Sequence, residues 1–175
     1  LSQEAQILCL LAGADSILGG DGNDSVLAGS GSDFVSGGAG ADTIDGDVGD
    51  DTIDGGAGND TITISSLTSG DSIDGGEGTD TLTIGTISSD STPSGIANIE
   101  TLKVTTIGGD TVGITIDMSK VSTISGLATT NNATGSITTA VKNLPSSFKS
   151  LTLADSGASN TDTLALSFSS GPTAF

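Results

Sequence analysis

The sequence predicts an all-β chain, with a parallel β-roll over residues 10–83 that continues into a Ser/Thr-rich parallel β-solenoid or β-sandwich-like region over residues 84–175. Three observations carry this expectation: an unbroken nine-residue repeat, two residue columns held in phase within it, and an abrupt change of composition at Ile84. From Gly19 the units read G-G-D-G-N-D-S-V-L, A-G-S-G-S-D-F-V-S, G-G-A-G-A-D-T-I-D, G-D-V-G-D-D-T-I-D and G-G-A-G-N-D-T-I-T. An eleven-residue unit, residues 64–74, comes next, and G-G-E-G-T-D-T-L-T closes the series at Thr83. A degenerate unit, residues 10–18, precedes them in the same register. The shared pattern, G-G-x-G-x-D-x-U-x with U a large aliphatic residue, is a nonapeptide signature of parallel β-helices.

The two columns set this stretch apart from a flexible Gly/Asp-rich linker, which has no reason to keep an aliphatic residue in phase. The sixth position is Asp in all eight units: Asp15, Asp24, Asp33, Asp42, Asp51, Asp60, Asp71 and Asp80. The eighth is Ile17, Val26, Val35, Ile44, Ile53, Ile62, Ile73 and Leu82. The first column supplies chemistry and the second a core. Residues 1–9 read as a cap or as part of a preceding repeat.

Glycine serves where a turn needs positive φ or where carbonyls must crowd together. Aspartate offers hard oxygen on a short stem, which suits Ca²⁺ over softer metals. With no His and a single Cys, Cys9, a zinc or copper site has almost no ligands to draw on.

At these residues the stretch resembles the RTX (hemolysin-type calcium-binding) repeats of proteins exported by Gram-negative type I secretion. The resemblance implies a right-handed roll in which each nonapeptide is a six-residue turn and a three-residue strand, with two units per coil. It implies several Ca²⁺ ions between stacked turns, held by Asp carboxylates and turn carbonyls. One side would stack Asp24, Asp42, Asp60 and Asp80; the other would stack Asp15, Asp33, Asp51 and Asp71. The carbonyls implied are those of Gly20, Gly22, Gly29, Gly31, Gly38, Gly40, Gly49, Gly56, Gly58, Gly76 and Gly78. The pattern departs at Ala28, Asp47 and Ser69, which weakens the sites touching Asp15 and Asp71.

Coils stacked ~4.8 Å apart would set like charges repelling by roughly 3.5 kcal/mol per pair at an effective dielectric of about 20. The stretch is therefore expected to be largely unfolded without calcium and to fold on binding it.

The net charge of −18 is uneven. Residues 1–83 hold sixteen Asp and Glu and no Lys, whereas Lys103, Lys120, Lys142 and Lys149 all lie later. Such a chain has no basic patch for nucleic acid or anionic lipid, and no span of transmembrane length. A lone cysteine gives no disulfide framework. The short apolar run before Ala14 lacks the basic flank of a signal peptide, and residues 169–175 show no clear secretion signal. Weak calcium sites fill outside cells, where calcium is millimolar; the expected location is extracellular, on the bacterial cell surface.

After Ile84, Ser, Thr and Ile dominate, and strands are expected over residues 99–105, 112–117, 121–125, 136–141, 150–154 and 163–168. Pro93, Pro145 and Pro172 fall between them. The segment G-I-A-N-I-E-T-L-K-V from Gly95 resembles a G-x-x-N-x-E-x-L pattern that recurs in surface-layer (S-layer) proteins carrying RTX repeats. That resemblance implies a structural protein whose partners are copies of itself in a lattice or filament, with a cell-surface polysaccharide as a further partner. Contacts between copies through calcium at Asp45, Asp54, Asp74 or Asp90 are expected from their place outside the sixth-position column. The alternative is a calcium-binding module of a secreted enzyme, toxin or adhesin. Catalysis by this chain is not expected: there is no His for acid–base work, and the repeat itself accounts for the paired carboxylates. An ice-binding surface would need a regular row, which Asn23, Ser32, Ala41, Asp50 and Asn59 do not make.

Overall fold

The structure, a computed structural model, describes residues 4–87, 95–107, 113–117, 126–131, 138–144, 150–155 and 163–168. The strands in chain order are β1 (Ile7–Cys9), β2 (Ser16–Asp21), β3 (Ser25–Leu27), β4 (Phe34–Ala39), β5 (Thr43–Asp47) and β6 (Thr52–Gly58). They continue with β7 (Thr61–Ser66), β8 (Ser72–Asp74), β9 (Glu77–Gly78), β10 (Thr81–Ile87), β11 (Gly95–Ala97) and β12 (Thr101–Ile107). The last are β13 (Gly113–Asp117), β14 (Gly126–Asn131), β15 (Thr138–Leu144), β16 (Ser150–Asp155) and β17 (Thr163–Phe168). The described residues contain no helix, and hence none long and apolar enough to cross a membrane.

Every pairing is parallel, and alternate repeats go to opposite walls. One sheet has the order β1-β3-β5-β7-β10-β12-β14-β16, the second β11-β8-β6-β4-β2 with β9 beside β6, and a third β13-β15-β17. The chain is thus an all-β parallel solenoid in which two nonapeptides make one coil, the architecture expected of a β-roll. The reason lies in the period: after nine residues the chain has made one strand and one turn, and after eighteen it lies over itself in register.

Register puts like on like. Ile17, Val35, Ile53, Ile73 and Ile96 stack on one wall. Leu8, Val26, Ile44, Ile62, Leu82 and Leu102 stack on the other. All eight aliphatic residues of the eighth position lie in the core cluster. The seventh position faces out as Ser25, Thr43, Thr52, Thr61 and Ser72, the alternation a strand produces when one face is buried. Truncating Ile53, 1% exposed in the middle of its stack, leaves a cavity that its neighbours above and below cannot close. Ile53→Ala is expected to cost about 2–5 kcal/mol, measured as the shift in denaturant midpoint in saturating calcium.

Several strands run longer than the three residues expected. β2, β4 and β6 extend through their first glycines, so that Gly20 pairs with Gly38 and Gly38 with Gly56. After the repeats, β10 bridges the change of composition at Ile84, and β12, β14 and β16 continue its sheet. The strand expected over 99–105 begins instead at Thr101, because residues 98–100 form a turn with Ile99 buried and Asn98 at φ 50°. β14 lies at Gly126–Asn131, where no strand was expected. The run over 121–125 and Asp90 fall outside the described residues.

Candidate metal centre

Each sixth-position aspartate sits at the end of a turn, immediately before its strand. Its main-chain carbonyl accepts the N–H that opens the strand one coil later, as Thr43 donates to Asp24 and Thr61 to Asp42. Its main-chain N–H is accepted by a side chain of the next coil. That acceptor is the next aspartate. Asp24 N–H donates to Asp42 Oδ1 at 2.7 Å, Asp42 to Asp60 Oδ1 at 2.8 Å, and Asp60 to Asp80 Oδ1 at 2.8 Å. On the opposite side Asp15 donates to Asp33, Asp33 to Asp51 and Asp51 to Asp71, at 2.9, 3.0 and 2.9 Å. The two stacks implied by the repeat pattern are thus assembled as two hydrogen-bonded ladders.

The second carboxylate oxygen is left bare. Among the described residues, Oδ2 of Asp24, Asp33, Asp42, Asp51, Asp60 and Asp80 is buried with no hydrogen-bond partner. A buried carboxylate with a bare oxygen is costly unless a cation meets it. No Lys or Arg precedes Lys103, so no side chain of the roll can supply that charge.

Glycine at the first repeat position makes room for one. A Cβ on Gly37 would stand 2.5 Å from both Asp42 Oδ2 and the carbonyl oxygen of Gly55; Gly55 has the same relation to Asp60 Oδ2, at 2.7 Å, and the carbonyl of Gly75. Each cradle therefore joins a bare carboxylate oxygen to a main-chain carbonyl of the next coil, the hard-oxygen set Ca²⁺ takes. Among the described residues no three His, Cys, Asp or Glu side chains gather as a metal cluster, so main-chain carbonyls would have to complete any oxygen set around a cation here.

All eleven glycines implied as carbonyl donors, Gly20, Gly22, Gly29, Gly31, Gly38, Gly40, Gly49, Gly56, Gly58, Gly76 and Gly78, have positive φ, between 93° and 152°. Their positions stack closely from coil to coil, and a Cβ on Gly38 or Gly40 would collide with the carbonyl of Gly20 or Gly22. Asp47, in the place of such a glycine, adopts φ 62° and donates its N–H to Asp45 Oδ1. The first-position glycines Gly19, Gly37, Gly46, Gly55 and Gly75 were absent from the expected ligand set, although the opening letter of the repeat marks them.

The two sides differ. The Asp24–Asp42–Asp60–Asp80 side has Gly19, Gly37, Gly55 and Gly75 at the first position, while the other has Leu10, Ala28 and Gly46. Asp15 is only half-buried. In the eleven-residue unit, Thr68 N–H donates to Asp71 Oδ2 at 2.7 Å, so that oxygen is occupied by the chain itself.

Burial of the carboxylates is visible in their proton affinities. Asp51 and Asp60 are pushed up to about 6, chiefly by burial, with neighbouring carboxylates adding to it and the ladder hydrogen bonds opposing. Burial likewise raises Asp42 and Asp80. Outside the ladders, Asp45 and Asp74 are not free surface groups: both are half-buried, and Asp74 Oδ1 accepts from Gly76 N–H and Asn98 Nδ2. Of the residues expected to bridge copies, Asp54 alone among those described is exposed.

Comparison with known proteins agrees with this geometry. The family model for the RTX calcium-binding nonapeptide repeat (4 copies) matches residues 11–35, 27–62 and 63–85. No curated protein and no solved structure matches the chain. Proteins that carry such repeats bind Ca²⁺ through them and are typically secreted. Residues 11–85 are therefore hemolysin-type RTX repeats, and this part of the chain is a calcium-binding RTX module.

Proposed function

We propose that the chain is a non-enzymatic structural element of an extracellular layer on the bacterial cell surface, an S-layer lattice or surface filament built from copies of itself on calcium binding. The observation that supports this reading is the continuity of one sheet. β1, β3, β5, β7 and β10 of the roll and β12, β14 and β16 of the Ser/Thr-rich half belong to a single eight-stranded sheet. Cations in the turns of the roll then stiffen an element that extends well past the repeats. The buried aspartate ladders make the fold conditional on calcium, so the chain stays unfolded where calcium is scarce and closes after export. A cell-surface polysaccharide is the proposed anchor, and exposed Asp54 the proposed calcium contact between copies.

Electron microscopy of the purified chain tests this. Ordered sheets or filaments are expected in millimolar calcium and their dissolution in chelator, with Asp54→Asn weakening assembly and leaving the circular dichroism unchanged. Folded monomers at every calcium concentration would instead favour a calcium-binding module of a larger secreted enzyme, toxin or adhesin.

A further inference from the structure

We infer a further divalent-cation site beyond the last nonapeptide, between the turn of residues 75–80 and the short turn of residues 98–100, formed by Asp80 Oδ2, the main-chain carbonyl of Asn98 and the charge of Glu100. It rests on the calcium-binding character of the repeats and is independent of the surface-layer reading.

The site arises because the solenoid continues while the repeat does not. β11 pairs with β8 up to Ala97↔Asp74, and β12 pairs with β10 from Thr101↔Thr81. Six residues of one coil, 75–80, are therefore answered by three, 98–100, in the next. A glycine-rich turn is gone, yet three features of the upstream cradles persist. Asp80 is fully buried and its Oδ2 has no partner. A Cβ on Gly75 would stand 2.8 Å from that oxygen and would collide with the carbonyl of Asn98, as one on Gly37 would meet Asp42 Oδ2 and the carbonyl of Gly55. Glu100 Oε2 accepts the N–H of Asp80 at 2.7 Å, the bond made upstream by the next aspartate.

Each residue of the short turn has a part. Asn98 takes the left-handed φ of 50° that glycines supply elsewhere, and its Nδ2 donates to Asp74 Oδ1 at 2.7 Å, which fixes where its carbonyl points. Ile99 is buried and closes the core beneath the turn. Glu100 replaces Asp at the ladder position, its extra methylene spanning the gap the shorter turn leaves. A hard divalent ion of the calcium type fits this oxygen set.

Native mass spectrometry of the full chain in saturating calcium counts the bound ions. Glu100→Gln keeps an oxygen to accept the Asp80 N–H and removes the charge. One calcium fewer than in the wild type is expected, with an unchanged β spectrum. Asp42→Asn, inside the repeats, is the control. If Asp42→Asn loses an ion and Glu100→Gln keeps the full count, the added site is wrong and the repeat sites stand. If neither variant loses one the added site is wrong, and if the wild type itself holds no calcium, calcium binding by the repeats fails as well. Should Glu100→Gln not fold, wild-type crystals soaked in terbium decide the matter. An anomalous peak within about 2.3–2.6 Å of Asp80 Oδ2 and the Asn98 carbonyl supports the site, and its absence there overturns it.

Discussion

Chelating calcium at neutral pH is expected to abolish most of the β-sheet signal of this chain in far-ultraviolet circular dichroism, and acidification of the chelated protein is expected to bring part of it back. Among the described residues six buried carboxylate oxygens have no hydrogen-bond partner, and no Lys or Arg precedes Lys103 to meet them. Without a cation, neutralising them requires protons. Asp51 and Asp60 bind protons with a pKa of about 6 in the folded chain, against 3.8 when unfolded. Between those values the metal-free fold holds more protons than the unfolded chain, so its stability falls as pH rises. The contribution is fully present below pH 3.8 and is lost as pH passes 6. With calcium the trend reverses, because protons compete for the same oxygens and calcium affinity falls below about pH 6. Circular dichroism from pH 4 to 8, in chelator and in calcium, should therefore give curves of opposite slope. A strong β signal in chelator at pH 8 would refute the argument.

Removing Asp60 should be the most damaging single change in the ladders. Asp60 Oδ1 accepts the Asp42 N–H, and Oδ2 lies in the Gly55 cradle. Asp60→Ala strands a buried donor and deletes a cation ligand. The lost charged hydrogen bond alone is worth about 1.5–3 kcal/mol, and the lost ligand adds to it. Asp60→Asn keeps an acceptor and should retain the ladder while binding one ion less firmly. Asp33→Ala should cost less than Asp60→Ala, because its side carries Leu10, Ala28 and Gly46 where the other carries glycine throughout. Denaturant unfolding of the three variants in saturating calcium gives the order. Equal losses for Asp33→Ala and Asp60→Ala would show that the first-position glycine does not distinguish the two sides.

The β-roll and its core were legible because a period of nine in a chain that alternates in and out leaves few ways to bury one aliphatic residue per unit. The aspartate column was legible for the same reason: identical residues eighteen apart must stack once the coil closes. What the repeat could not reveal is where it stops mattering. Ile99-Glu100 reads as the start of a strand, yet Ile99 is core in a turn and Glu100 continues a ladder that the family pattern leaves at Asp80. Asp45 and Asp74 read as solvent-facing carboxylates, and both are tied to nearby N–H groups.

Residue type and spacing were enough to set the coil, the core column and the presence of two carboxylate rows. The division of labour within each carboxylate was settled in three dimensions. One oxygen caps the coil before and the other is left bare beside a glycine, and that depends on which main-chain N–H groups have no partner once coils stack. A repeat pattern records which residues recur; only the packed turns decide which of their atoms remain unsatisfied, and those unsatisfied atoms are what a cation binds.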